Sequence, residues 1–183
     1  MIMKKLALPA VAALALAACE TTSTRPYSPT TANIMQVQQA VTGDTKVSVG
    51  EFAAAEGVET APTCRLLGAI EVIPGGTPID YIKGAFEAEL FQAGILASDG
   101  APIRGEVTEL VFSSFGTGSW TIGLTVSSDS LPDGYTVRTE QSFKTSYSAV
   151  NACQNVVDAF QPAVADLLQQ VVSDPQFPAL AGE

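Results

Sequence analysis

The sequence predicts an α+β domain, in which an antiparallel sheet of about 4–5 strands is covered on one face by two amphipathic helices. Two segments carry apolar residues at helical spacing, and three consecutive segments between them have the alternation or apolar content of strands. The predicted order is strand, strand, helix, three strands, helix. Consecutive strands joined by short turns favour antiparallel pairing.

Two strands are expected before the first helix. Residues 46–52 alternate Val47 and Val49 with polar neighbours, which is typical of a short strand. Residues 64–73 are almost continuously apolar, as in a strand that is buried on both faces. This second segment is therefore predicted to be central in the sheet.

The first helix is predicted from residue 78 to residue 93. Thr77 is a good N-cap, Pro78 suits the first helical position, and Asp80 lies in the first turn. Gly94 follows the last periodic residue, where a glycine commonly ends a helix. The apolar positions at helical spacing are Ile79, Ile82, Phe86, Leu90 and Ala93.

The three strands that follow form a predicted meander. The first covers residues 101–115, and the second alternates strictly from Trp120 to Val126 between apolar and small polar residues. The third begins at Tyr135, and its aromatic residues predict that it extends as far as Tyr147. Strict alternation predicts one buried face and one solvated face.

The last element is predicted to be a long helix from about Val150 to Val172. Its apolar stripe has helical spacing, and Pro162 inside it is expected to introduce a kink. Residues 176–183 are expected to be a loose coil, with docking of Phe177 as the alternative.

The chain begins with the features of a secretory signal. Lys4 and Lys5 precede an apolar run from Leu6 to Ala18 that is too short to cross a membrane as a helix. The last four residues of this region, Leu16-Ala-Ala-Cys19, resemble the lipobox of bacterial lipoproteins. That resemblance implies lipidation of Cys19 and cleavage before it. The alternative is an ordinary signal peptide with a chance cysteine.

The residue after the cysteine is Glu20 rather than aspartate. In enteric-type lipoprotein sorting, aspartate at this position favours retention in the inner membrane. The resemblance to such lipoproteins therefore implies an outer-membrane location that faces the periplasm.

Three regions are predicted along the chain. Residues 1–18 are the signal peptide, residues 19–45 are the lipidated cysteine with a flexible tether, and residues 46–183 are one domain. The tether is rich in Ser, Thr and Pro, with little to bury. Its apolar residues between Ile34 and Val41 leave open a docked arm or a frayed turn.

The charge excludes some kinds of partner. Nine basic residues face nineteen acidic ones, and loss of Lys4 and Lys5 leaves seven, so the formal net charge changes from −10 to −12. Such an acidic chain does not bind nucleic acid by neutralising its phosphates. It also gains no electrostatic attraction to anionic lipid headgroups. Membrane attachment is therefore expected to come from acyl chains on Cys19.

The two cysteines after Cys19 are predicted to form a disulfide. Cys64 and Cys153 remain as a pair in an oxidising compartment, where bonding is the default. The bond would join the last helix to the sheet. The alternative is two buried free thiols.

The sequence offers little catalytic chemistry. It contains no histidine, which excludes triads that use one and removes the commonest metal ligand. The carboxylate pairs Glu87/Glu89, Glu106/Glu109 and Asp129/Asp133 are expected on solvated faces or in a turn. No catalytic residue, metal site or cofactor is predicted.

Three aromatic residues, Phe112, Phe115 and Trp120, cluster around one predicted hairpin. They are expected either to cap the core or to form an exposed apolar surface for a partner or lipid.

The order of elements over residues 64–177 resembles the YajG-like family of uncharacterised envelope lipoproteins. The likeness depends on the stretch from Ile79 to Gly94, the meander, and the closing helix that ends Val-Ser-Asp-Pro-Gln-Phe177. The topology also resembles auxiliary lipoproteins of ABC-type lipid transport systems and assembly lipoproteins of secretion channels. These resemblances imply action through protein contacts or lipid handling, without catalytic residues.

The expected function is therefore that of a non-catalytic, lipid-anchored periplasmic protein that supports an envelope assembly by protein–protein contact. The alternative is a module that binds a lipid or small ligand between the sheet and the helix containing Pro162.

Overall fold

The computed structural model describes residues 25–183. The predicted signal peptide, Cys19 and the first residues of the predicted tether lie outside this range. No helix within residues 25–183 combines the length and apolar character needed to cross a membrane.

The described residues form an α+β fold, which confirms the predicted class. The elements in chain order are α1 (Thr31–Ala40), β1 (Val47–Ala54), α2 (Pro78–Ala93), β2 (Ala101–Ser113), β3 (Gly118–Ser127), β4 (Tyr135–Phe143), α3 (Ala149–Ser173) and α4 (Phe177–Ala181).

The four strands form one sheet in the order β1-β2-β3-β4. The pairs β2/β3 and β3/β4 are antiparallel, as predicted, whereas β1 is parallel to β2. The parallel pair arises because α2 connects β1 to β2 as a crossover, and a crossover joins strands that run the same way. The sheet is therefore mixed rather than wholly antiparallel.

The core lies between the sheet and the helices. Alternate residues of β3, including Trp120, Ile122 and Leu124, are fully buried. They face the apolar stripe of α3, where Phe160 and Leu167 are also buried. The opposite face of the sheet carries polar residues, as strict alternation predicts.

The predicted strand at residues 64–73 is wrong. This segment is a loop with a single isolated bridge, and Leu66 and Leu67 are exposed. Arg65 has φ of 51° and Gly68 has φ of 102°, which are left-handed conformations incompatible with a continuous strand. The apolar residues instead split between solvent and the core, where Ile70 and Val72 are buried.

The N-terminal end of α2 matches its prediction. The Thr77 hydroxyl accepts a hydrogen bond from the Asp80 backbone N–H at 3.2 Å, and the Asp80 carboxylate accepts from the Thr77 N–H at 2.8 Å. This is a reciprocal capping box. Gly94 ends the helix with φ of 83°.

Thr77→Ala is expected to lower the free energy of unfolding by about 1 kcal/mol at pH 7, because one N-terminal amide loses its acceptor. Hydrogen bonds from the Thr77 backbone and side chain lower the pKa of Asp80. Stability from a lowered carboxyl pKa is present above the unfolded pKa, near 4, and is lost as pH falls through the folded pKa. Urea unfolding at pH 7 and at pH 2.5 measures this: the difference in the free energy of unfolding between wild type and variant should be smaller at pH 2.5.

Part of the predicted tether, residues 31–41, is docked on the domain. Helix α1 packs on α2 and α3 with Asn33 and Val37 buried, and Val41 directly after it is also buried. Of the two alternatives for the apolar residues around Ile34, the structure shows the docked arm and not the frayed turn.

The C-terminal tail is also docked rather than a loose coil. Phe177 and Leu180 of α4 are fully buried. The Glu183 carboxylate accepts hydrogen bonds from the backbone N–H of Thr42 at 2.6 Å and from the hydroxyl of Thr45 at 3.2 Å. The tail thus closes over the end of the N-terminal arm.

Candidate docking surface

One end of the molecule is formed by three loops that meet where α3 begins. They are residues 64–68, 113–118 and 144–150, and together they are called the loop pole below. The strands β2 and β4 end in this region and β3 begins there.

Arg65 fastens the three loops together. Its guanidinium donates to the carbonyl oxygens of Ser114 at 2.6 Å, Ser146 at 3.0 Å and Tyr147 at 3.3 Å. Its Nε also donates to the Ser114 hydroxyl at 3.2 Å, and its Cζ lies 4.7 Å from the centre of the Phe115 ring. Because most of its donors are already bound to neutral groups of the protein, Arg65 organises the loops and keeps its positive charge at their surface.

The disulfide predicted from the sequence is present and supports the same loops. Cys64 and Cys153 are bonded, with their Cα atoms 5.8 Å apart. Cys153 lies near the start of α3 and Cys64 directly precedes Arg65, so the bond holds the loop at residues 64–68 against the helix.

Exposed apolar side chains are concentrated at the loop pole. Of the eight large apolar side chains exposed within residues 25–183, five belong to these loops: Leu66, Leu67, Phe115, Tyr147 and Val150. An open groove of about 360 Å³ lies between Arg65, Phe115 and Tyr147. Clustered exposed apolar side chains are typical of protein interaction surfaces.

The charge of the loop pole differs from that of the whole chain. Its three loops contain no Asp or Glu, although the chain has nineteen acidic residues, and they contribute Arg65 and the exposed Lys144. Elsewhere, Arg104 pairs with Asp129 at 2.5 Å and Arg138 pairs with Glu109 at 2.8 Å. The cations of the loop pole have no such carboxylate partner among the described ion pairs.

The three aromatic residues Phe112, Phe115 and Trp120 divide between the two predicted alternatives, and they do not form one exposed surface. Trp120 is 0% exposed, and its indole Nε1–H donates to the Val156 carbonyl at 2.8 Å. Phe112 is half-buried with its ring centre 5.0 Å from that of Trp120, whereas Phe115 is 69% exposed. Trp120 belongs to the buried face of β3, while Phe115 lies in the turn that precedes this strand.

Sequence reasoning misses the other members of the loop pole. It places Leu66 and Leu67 in a central strand and Tyr147 at the end of β4, whereas all three lie in loops. The absence of acidic residues in three separate segments is visible in the sequence. That these segments meet follows only from the disulfide and the contacts of Arg65.

The space proposed from the sequence for a lipid or small ligand is filled. Phe160, Val164 and Leu167 of α3 are buried against the sheet, and the Phe160 ring lies 4.8 Å from that of Trp120. The helix–sheet interface is thus a packed core rather than a ligand cavity.

The carboxylate pairs have separate environments. Glu109 and Asp129 form the surface ion pairs described above, and Glu87 is half-buried on α2. Glu89 was expected on a solvated face but is 0% exposed. Within residues 25–183, no group of three or more His, Cys, Asp or Glu side chains has an arrangement that could hold a metal ion.

No protein-family model matches the chain, and no curated protein matches it in sequence. Protein XCC0632 from Xanthomonas campestris, a DUF330 protein, is similar in structure, with 13% identity, a TM-score of 0.48, and coverage of 82% of this chain and 92% of its own. A second solved structure, of an uncharacterized protein, has 10% identity and a TM-score of 0.38, covering 81% and 99%. These values assign neither a family nor an activity to this chain.

Proposed function

We propose that this protein is a non-catalytic accessory protein of the bacterial envelope, attached to the outer membrane through acyl chains on Cys19 and facing the periplasm. It supports an envelope assembly or transport complex by docking a protein partner at the loop pole. The observation that carries the proposal is the concentration of exposed apolar side chains in an acid-free, cationic surface on an otherwise acidic protein.

The chemistry of the loop pole specifies its partner. Phe115, Leu67 and Tyr147 offer apolar contact area, and Arg65 and Lys144 offer positive charge at its margin. Such a surface is complementary to a protein segment that presents apolar side chains flanked by Asp or Glu. The acidic remainder of the molecule would disfavour the same segment elsewhere by like-charge repulsion.

The location is supported by the start of the chain and by the disulfide. The lipobox resemblance supplies Cys19, and more than one acyl chain is needed for stable attachment, since a single chain binds marginally. The bond between Cys64 and Cys153 fits an oxidising compartment such as the periplasm. The resemblance to YajG-like envelope lipoproteins, which extends over residues 64–177, points the same way.

Site-directed photo-crosslinking in intact cells tests the docking surface. A photoreactive amino acid replaces Phe115 in the loop pole or, as a matched control, Thr136, which is exposed on the open face of the sheet. We expect one discrete protein adduct from position 115 and none from position 136. We also expect this adduct to disappear when Leu67 and Tyr147 are both replaced by Ser.

Two outcomes would overturn the proposal. Equal adducts from positions 115 and 136 would show that the loop pole has no special role. Adducts with lipid alone at position 115 would make the loop pole a membrane-binding surface instead.

A further inference from the structure

Glu89 is a buried carboxylate whose hydrogen-bond donors all come from one segment of the chain. It lies on α2 and is 0% exposed. Its Oε1 accepts from the Tyr27 hydroxyl at 2.5 Å, the Thr30 backbone N–H at 3.1 Å and the Asn33 side-chain amide at 3.0 Å. These three residues belong to the docked N-terminal arm, residues 25–45.

The same carboxylate is incompletely satisfied. Its Oε2 is buried without a hydrogen-bond partner, and none of the ion pairs within residues 25–183 includes Glu89. Burying a carboxylate without a cation is costly, and only donors from the arm offset that cost. If the arm left, water could hydrate the Glu89 carboxylate. The free energy of arm docking is therefore the difference between the cost of desolvating this carboxylate and the gain from its hydrogen bonds to the arm.

The apolar contribution to arm docking is limited. Val37 and Val41 are buried, whereas Tyr27, Ile34 and Ala40 are only partly buried where they pack against the core. Helix α1 packs on α2 and α3 and lies outside the layer that covers the sheet. The main core, between the sheet and helices α2 and α3, is therefore built largely without the arm.

Tyr27 is held in its donor form. Burial and the hydrogen bond to Glu89 raise the pKa of Tyr27 above its ordinary value. The adjacent Tyr81 has a pKa raised to about 12 by burial, and its hydroxyl donates to the Arg25 carbonyl at 3.0 Å. The arm is therefore hydrogen-bonded to α2 at two positions along the helix, Tyr81 and Glu89.

The arm also has a direction. At its start, Arg25 and Tyr27 lie beside Tyr81 in the first turn of α2. Further along, Asn33 lies beside Glu89. At its end, the Gln38 side-chain amide donates to the carbonyl of Ala93, the last residue of α2. The arm therefore runs parallel to α2, and its first described residue, Arg25, lies at the end where α2 begins. The Tyr81 ring lies 5.3 Å from that of Phe160, which in turn contacts Trp120 near the loop pole.

We propose that Glu89 is a latch that keeps the N-terminal arm docked and thereby holds the loop pole next to the membrane. With the arm docked, only the six residues from Cys19 to Thr24 separate the membrane from the domain, a span of at most about 20 Å. Release of the arm to residue 45, which also breaks the hydrogen bonds of Glu183 with Thr42 and Thr45, would lengthen the connection to as much as about 90 Å and remove the orientation. The membrane half of this inference rests on the proposed lipidation of Cys19.

Hydrogen exchange on the soluble Cys19→Ala form of the otherwise complete mature chain tests the latch alone. Glu89→Leu keeps an apolar side chain of similar size on α2 but removes every acceptor. We expect backbone amides of residues 30–40 to exchange at least tenfold faster, with strands β2 to β4 unchanged. Glu89→Gln retains an acceptor at Oε1 and should have a smaller effect, and Glu87→Gln should have none.

The donors provide an independent check. Tyr27→Phe combined with Asn33→Ala removes two of the three hydrogen bonds from the arm side and should reproduce the faster exchange of Glu89→Leu. An arm that remains protected in both variants would overturn the latch.

Energy transfer in vesicles tests the membrane half. The chain has a single tryptophan, Trp120, near the loop pole, and a dansyl-labelled lipid in phosphatidylethanolamine–phosphatidylglycerol vesicles serves as acceptor. With lipidated protein, Glu89→Leu should lower the transfer efficiency at least twofold, and Glu87→Gln should leave it unchanged. An unchanged energy-transfer efficiency in Glu89→Leu would refute the positioning role of Glu89. Wild-type protein that does not attach to vesicles would refute the proposed anchor. In that case the hydrogen-exchange experiment alone decides whether Glu89 is a latch.

Discussion

Replacing both Cys64 and Cys153 by Ser is expected to lower the free energy of unfolding by about 4–5 kcal/mol. The bond closes a loop across a sequence separation of 89 residues, and in the chain-entropy model a loop of this length restricts the unfolded chain strongly. Domain stabilities are typically about 5–15 kcal/mol, so the variant should be close to unfolding at 37 °C. Urea denaturation followed by circular dichroism measures the loss.

The double replacement avoids the unpaired thiol that either single variant would leave. Wild-type protein treated with a reductant is the control, and it should lose a similar amount of stability. Hydrogen exchange should also accelerate first in residues 64–68, because the bond holds that loop against α3. A variant with unchanged stability and unchanged exchange would show that the contacts of Arg65 suffice to hold the loops.

Trp120→Ala is expected to destabilise the protein by about 3–5 kcal/mol. The side chain is fully buried between Phe112 and Phe160, and its indole donates to the Val156 carbonyl at 2.8 Å. Alanine would leave a cavity at the contact between β3 and α3 and remove this hydrogen bond. The midpoint of urea denaturation, with the slope checked for constancy, reports the change.

Phe115→Ala is the matched comparison, because both aromatic residues come from the same predicted cluster. Phe115 is 69% exposed and its ring lies under the Arg65 guanidinium, so its loss should cost less than about 1 kcal/mol. Trp120→Phe should recover part of the stability by refilling the cavity. Equal losses for Trp120→Ala and Phe115→Ala would contradict the division of this cluster into a core member and a surface member.

Elements with strong local signals were predictable from sequence. The start of α2 is determined by Thr77, Pro78 and Asp80, which act within one helical turn, and Gly94 supplies the left-handed residue that ends it. The strict alternation from Trp120 to Val126 likewise fixes which face of β3 is buried. In these segments the pattern is local, and tertiary contacts agree with it.

The errors arose where tertiary contacts decide. The apolar content of residues 64–73 resembles a buried strand, but Arg65 and Gly68 adopt positive φ and the disulfide at Cys64 fixes a loop. Once this false strand is removed, β1, α2 and β2 form a strand–helix–strand unit, and the parallel pairing follows. The apolar content of a segment does not by itself distinguish a buried strand from a loop of this kind.

The arm and the loop pole depend on partners distant in sequence. Asn33 and Glu89 are 56 residues apart, so neither the docking of the arm nor the burial of this carboxylate has a local signal. Likewise, the Arg65 guanidinium donates to the carbonyl of Tyr147, 82 residues later in the chain. Only the pairing of Cys64 with Cys153 could be derived from the sequence, because it followed from the number of cysteines and the expected compartment.

The central claim is that the loop pole binds an acidic, apolar protein segment, and a charge reversal in the crosslinking experiment tests it most directly. With the photoreactive residue at position 115, Lys144→Glu should reduce the yield of the protein adduct at least tenfold. Lys46→Glu, directly before β1 and away from the loop pole, makes the same change in net charge and should leave the yield unchanged. An adduct that persists in Lys144→Glu, or falls equally in Lys46→Glu, would contradict recognition by the loop pole.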